Sequence, residues 1–195
     1  MVLPPKRQNV IKDSVLQEVN AWSEGCVKEE IMNKGSVIVY YGDGKGKSSS
    51  AIGHAICAAG TGKSVAIIQF LKGNNQKEID FLKRLEPDVR LFSFEKNAEF
   101  FEELSEEQKQ EEILNIRNGL NFAKKVLVTG ECAILVLDEI LGLLEKGIIT
   151  IEDIKILIDA KDEETELILT GNRMKEELMQ YADAVYEIKS IKEDE

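Results

Sequence analysis

Gly42, Asp43, Gly44, Lys45, Gly46, Lys47, Ser48 and Ser49 place three glycines, two lysines and two serines between the apolar segments "VIVYY" and "AIGHAI". A glycine-rich turn that ends a strand and opens a helix aims backbone N–H groups at one spot. The partial positive charge of the helix N-terminus adds to them. The chemistry this suits is polyphosphate binding. Gly42, Gly44 and Gly46 would let the backbone curl around phosphate oxygens where a Cβ would obstruct it. Lys47 is spaced to reach phosphate, and Ser48 to offer its hydroxyl to Mg2+, as in the pattern G-x-x-x-x-G-K-[ST]. That pattern's first glycine would fall at Tyr41 and is displaced here to Gly42. Lys45 reads equally as a phosphate contact or a solvated loop lysine. The competing reading, a glycine-rich hairpin that binds nothing, sits poorly with a strand before the loop and a helix after it.

A magnesium–triphosphate site needs a carboxylate at the tip of a second buried strand, and "ILVLDE" supplies it. Asp138 and Glu139 follow the apolar run Ile134–Leu137, at the carboxyl end where ligands of open α/β sheets bind. Carboxylates there can hold magnesium directly or through water. Ser48, Asp138 and Glu139 are therefore the candidate metal set, and Lys47 and Glu139 the candidate catalytic residues. The acidic pair also suits the start of the helix that "LGLLEKG" predicts. The lone histidine, His54, falls in the helix after the loop and reads as structural, because its sequence neighbours suggest no base–orienter pair.

These residues must be positioned by a regular scaffold. Apolar, β-branched runs begin at Val37, Val65, Val89, Ala133, Leu167 and Ala184, and several are apolar on both faces, as buried parallel strands are. Between them Ile52, Ala55, Ile56 and Ala59 recur at helical spacing. "SEEQ" at Ser105–Gln108 predicts a capping box, and Thr150 with Asp153 another. Met174–Tyr181 predicts a shorter helix. Alternating strands and helices predict an α/β fold with a mostly parallel central sheet and helices on both faces. The acidic cluster Glu99–Glu112 reads as a solvated face and helix start. Residues 1–34 lack the alternation and read as an N-terminal arm, leaving 35–195 as the nucleotide-binding domain.

Composition narrows the partners. The 195 residues are 43% hydrophobic, enough for a sizeable core. Lys plus Arg number 25 against 36 Asp plus Glu, a net charge of −11, which disfavours free nucleic acid. Cys26, Cys57 and Cys132 are odd in number and far apart, without zinc-like spacing, which points to a reducing compartment. No apolar run approaches signal-peptide or membrane-spanning length. The expectation is a cytoplasmic protein that does not enter membranes.

Taken in order, "YGDGKGKSSSAIGHAICAAGTGKSVAIIQFLKG", "ILVLDE", "LTGNR" and "YADAVYEIKSIK" resemble the bacterial P-loop type of ATP:corrinoid adenosyltransferase, the cob(I)yrinic acid a,c-diamide or cob(I)alamin adenosyltransferases. The likeness spans about Gly35 to Lys192, and the displaced first glycine is normal in that family. It implies a P-loop nucleoside triphosphate hydrolase-like, RecA-type fold, and a reduced Co(I) corrinoid that attacks the ribose C5′ of ATP and expels triphosphate. ATP and corrinoid are the implied substrates, Mg2+ the implied cofactor and a homodimer the implied assembly. Phe92 and Phe94 would take the places of family aromatic residues that handle the corrinoid, although both also suit the core of a strand. Two departures stand out: Cys57 falls where the family often has arginine, and Asn172 in "TGNR" moves Arg173 one place along. Both family arginines would be expected near phosphate. An ordinary ATPase or kinase, with Glu139 orienting water or a hydroxyl, and a non-catalytic nucleotide- or corrinoid-binding relative are the alternatives.

Overall fold

The computed structural model describes residues 35–71, 81–94 and 101–192; the expected arm, 1–34, and Glu99 of the acidic cluster lie outside them. Six strands form where the β-branched runs predict them: β1 Val37–Tyr41, β2 Val65–Gln69, β3 Val89–Ser93, β4 Ile134–Asp138, β5 Glu166–Gly171 and β6 Ala184–Glu187. They pair in parallel throughout as one sheet ordered β3-β2-β4-β5-β1-β6. The described residues belong to one compact unit, Lys34–Glu195.

Alternation within each strand divides the core into two layers, because successive side chains point to opposite faces. Ile38, Val65, Ile67, Ile134, Val136 and Ile168 pack with Ala51, Ile52 and Ala55 of α1, Lys47–Ala59. Their strand neighbours Val39, Ala66, Ile68, Leu135, Leu137, Leu167 and Leu169 face the other way. They pack with α2 Glu106–Thr129, α3 Ile140–Glu145, α4 Ile151–Ala160 and the short α5 Glu176–Met179. Helices therefore cover both faces, as the alternation of strands and helices predicts.

Both capping boxes form. Ser105 Oγ accepts the Gln108 N–H at 3.3 Å while Gln108 Oε1 accepts the Ser105 N–H at 2.9 Å. Thr150 and Asp153 do the same at 3.2 and 2.8 Å. One expectation fails: Glu112, on α2, is only 2% exposed. The acidic cluster is thus not wholly a solvated face; the periodicity that buries Ile116 also turns Glu112 inward.

Candidate active site

Parallel pairing brings every strand's carboxyl end to one edge of the sheet. Tyr40 is in register with Thr170, and Asp138 with Gln69. Leu137 opposite Leu169 puts Asp138 at the level of Thr170. One row therefore crosses four strands, with β5 alone between β1 and β4. The glycine loop and the Asp138–Glu139 pair leave the same edge two strand spacings apart, about 10 Å.

The first half of the loop is held by its own chain. The Gly42 N–H donates to the Asn172 carbonyl at 3.0 Å, the Gly44 N–H to the Ile188 carbonyl at 3.0 Å, and the Ile188 N–H to the Tyr41 carbonyl at 2.7 Å. A Cβ on Gly42, at φ 129°, would lie 2.2 Å from the Ile188 oxygen, and one on Gly44 would lie 2.9 Å from it. The absence of a side chain at Gly42 and Gly44 also admits the segment after β6, and their N–H groups are engaged by Asn172 and Ile188.

The second half is built differently. Gly46, at φ 112°, caps α1, and a Cβ there would meet nothing within 4 Å. The first-turn N–H groups of Lys47, Ser48 and Ser49 have no intrahelical partner, and no acidic residue occupies that turn. An anion is therefore favoured at this end. Lys47 Nζ donates to the Gly44 carbonyl at 3.0 Å, folding the side chain back across the loop. Lys47 and Ser48 are half-buried, while Asp43, Lys45 and Ser49 are exposed.

Asp138 is fully buried. Its Oδ1 accepts the Thr170 hydroxyl at 2.7 Å and its Oδ2 the Gln69 amide at 3.3 Å. The Thr170 hydroxyl in turn accepts the Glu139 N–H at 2.8 Å. Glu139 is a non-glycine residue at φ 65°, a conformation that costs about 1–3 kcal/mol. The turn folds its carboxylate over α3, where a Cβ on Gly142 would approach Oε1 to 2.9 Å. Sequence reasoning missed Gln69 and Thr170 as site residues. The signal was there, a polar residue near the carboxyl end of an otherwise apolar strand.

Phe92 and Phe94 stand on the far side of this edge. Strand β3 lies four positions from β1, about 20 Å away. Their rings pack on Phe122 of α2, with centroids at 4.6 and 5.8 Å, and Phe94 also stacks on Phe70 at 6.5 Å. Both are half-buried. Arg173 is 82% exposed, with Nε 3.4 Å from Glu145 at the end of α3. The extra residue in "TGNR" puts the Asn172 carbonyl on the Gly42 N–H, and Cys57 is exposed on α1.

His54 has an orienter that its sequence neighbours do not reveal. Its Nε2 lies 2.7 Å from Oε1 of Glu166, the first residue of β5, and its Nδ1 3.5 Å from the Tyr40 hydroxyl. The buried Glu166 Oε1 has no other partner among the described residues, so the pairing calls for a proton on Nε2. Burial, helped by Tyr186 and Glu166, pushes the Tyr40 hydroxyl above its ordinary pKa. Glu166 is at the amino end of its strand, opposite the glycine loop, which agrees with a structural role for His54.

A six-stranded parallel sheet with a glycine loop and buried acidic strand tip on one edge defines an α/β protein of the P-loop nucleoside triphosphatase-like fold. Residues 33–194 match the family described as ATP:corrinoid adenosyltransferase BtuR/CobO/CobP, and the chain belongs to that family of transferases. It is 26% identical over 190 residues to the corrinoid adenosyltransferase of Escherichia coli strain K12, covering 96% of this chain and 89% of that protein. The corrinoid adenosyltransferase CobA of Salmonella typhimurium gives the same figures. That of Pseudomonas aeruginosa is 29% identical over 160 residues, covering 82% of this chain and 77% of the relative. No described helix is long and apolar enough to cross a membrane.

Proposed function

We propose that the protein transfers the 5′-deoxyadenosyl group of ATP to the Co(I) centre of a corrinoid, cob(I)alamin or cob(I)yrinic acid a,c-diamide, and releases inorganic triphosphate. Family membership across residues 33–194 carries this reading, and the placement of loop and carboxylates on one edge supports it. In the transfer the Co(I) electron pair forms the cobalt–carbon bond while the C5′–O bond breaks. The departing oxygen keeps its pair as part of triphosphate. No protein nucleophile is needed, so the chain's contribution is position and charge.

The N–H groups of Lys47, Ser48 and Ser49 receive phosphate oxygens at the α1 N-terminus. Lys47 would leave the Gly44 carbonyl for phosphate, exchanging a neutral acceptor for an anionic one that attracts the ammonium more strongly. Asp43, Lys45 and the backbone of Gly42, Gly44 and Gly46 shape the rim. Phe92 and Phe94 would border the corrinoid, and Arg173 would turn from Glu145 towards phosphate.

Magnesium belongs to the same proposal. Among the described residues no three His, Cys, Asp or Glu side chains are gathered around a metal position. Magnesium bound to a nucleotide commonly uses only one or two carboxylates beside phosphate and water, and the hard oxygens of Ser48, Asp138 and Glu139 fit that habit. When bound, it offsets charge on the triphosphate. The buried bonds from Thr170 and Gln69 fix the Asp138 carboxylate, which would hold the metal directly or through water.

Purified protein given ATP, Mg2+ and chemically reduced corrinoid should produce the spectrum of an alkylated corrinoid. Bound ATP without that product would contradict the proposal. Binding without turnover is the second reading, favoured by Arg173 lying on Glu145. Release of orthophosphate without corrinoid would instead indicate an ATPase.

A further inference from the structure

We propose that the segment immediately after β6, Ile188–Ser190, is a positioning strap for the nucleotide loop and helps set affinity for the triphosphate of ATP. The inference deepens the proposed function and rests on it. Strand β6 is an edge strand paired to β1, with Tyr41 opposite Glu187. One residue later the Ile188 N–H bonds the Tyr41 carbonyl, just before the loop, and the Ile188 carbonyl bonds the Gly44 N–H, inside it. A single residue thus grips the loop on both sides of Gly42. The Asn172 carbonyl, arriving from the end of β5, fixes Gly42 itself.

The contact is close along its length. A Cβ on Gly44 would come within 2.9 Å of the Ile188 oxygen, 2.9 Å of the Lys189 carbonyl carbon and 3.0 Å of the Ser190 nitrogen. With Gly42 and Gly44 fixed, the rest of the loop has a rigid base from which Lys45–Ser49 can present N–H groups to phosphate. Preorganised donors lose less conformational freedom on binding and so hold their ligand more tightly. The strap acts through main-chain atoms. Lys189, its charged member, has Nζ 2.8 Å from Glu187, its principal partner, with weaker attraction to Tyr41 and Asp43. A backbone device of this kind leaves no side-chain motif, which is why the glycines alone do not reveal it.

The test is ATP titration of the full-length protein and three substitutions. Ile188→Pro removes the N–H given to Tyr41 and should weaken ATP binding about tenfold, the equivalent of one lost hydrogen bond. Its adenosyl-transfer rate at saturating ATP should return to that of the unaltered protein, so the change falls on KM and not kcat. Lys189→Ala and Ile191→Pro, which spare the two main-chain bonds, should stay within about twofold. Ile188→Pro binding ATP as tightly as the unaltered protein, or Ile191→Pro weakening it equally, would overturn the strap.

If Ile188→Pro does not fold, amide hydrogen exchange in the unaltered protein decides. Slow exchange at Gly44 and Ile188 that slows further with ATP supports the strap, and fast exchange at both refutes it. Failure of the unaltered protein to bind ATP at all would remove the proposed function together with the strap. Normal ATP binding by both proteins would remove the strap alone.

Discussion

The two ends of the sheet's carboxyl edge are built from different materials. Beside β1 the glycine loop is held by main-chain bonds to Asn172 and Ile188; beside β3, Phe92 and Phe94 are held by rings against Phe122 and Phe70. Each end depends on glycine for a different reason. Gly42 makes room for a carbonyl oxygen, and Gly119 for aromatic rings, since a Cβ there would lie 2.7 Å from Phe94 Cγ and 2.8 Å from Phe70 Cε1. The first end offers directed dipoles suited to an anion. The second presents an apolar cluster of packed rings.

The sharpest way to separate the two ends is to fill the glycine pockets. Gly42→Ala faces both a 2.2 Å overlap with backbone and a φ of 129°, and should cost about 3–5 kcal/mol or prevent folding; chemical denaturation measures it. Gly119→Ala meets Phe94 Cγ and Cβ and the buried Phe70 ring, side chains and not backbone, without the positive φ of Gly42, and should cost less, about 1–3 kcal/mol. Equal losses at the two positions would erase the distinction between a main-chain frame and a ring-packed one.

Lys47→Ala should weaken ATP about 10- to 100-fold, as loss of a charge-assisted bond does, with little change in melting temperature, because among the described residues its hydrogen-bond partner is the Gly44 carbonyl. Phe94→Ala is the mirror experiment. It should cost about 1–3 kcal/mol of stability for a half-buried ring and impair corrinoid use, while ATP affinity measured by titration stays near its original value. Thr170→Val would strip Asp138 of one donor and Glu139 of its acceptor, costing about 1–3 kcal/mol in thermal unfolding.

The smallest effect concerns the cysteines. Burial pushes the Cys132 thiol up to about 11, so the folded state favours the neutral thiol. That contribution is full below the unfolded thiol's pKa of about 8.5 and declines as pH rises towards 11. At pH 8 a thiol reagent should modify exposed Cys57 and spare Cys132 until the protein unfolds.

The same contrast explains what the sequence made legible. Strand positions could be read because residues such as Ile67 and Ile68 are buried on opposite faces, which demands continuous apolar runs. Ser105–Gln108 and Thr150–Asp153 were readable because a capping box is local. The acidic strand tip was readable at Asp138, but its supports were not. Thr170 and Gln69 reach it from 32 and 69 residues away, and no local pattern encodes such pairing. His54 with Glu166 was hidden for the same reason. The role of Ile188 was hidden more deeply, because it contributes only backbone atoms and any non-proline residue could supply them.

In the proposed reaction the loop holds ATP by its triphosphate while the adenosyl end is transferred. Phosphorus NMR of a reaction containing Mg2+ and reduced corrinoid tests it most directly. Intact triphosphate should appear one-for-one with the alkylated corrinoid, and none without corrinoid. Orthophosphate and ADP in its place, independent of corrinoid, would contradict it.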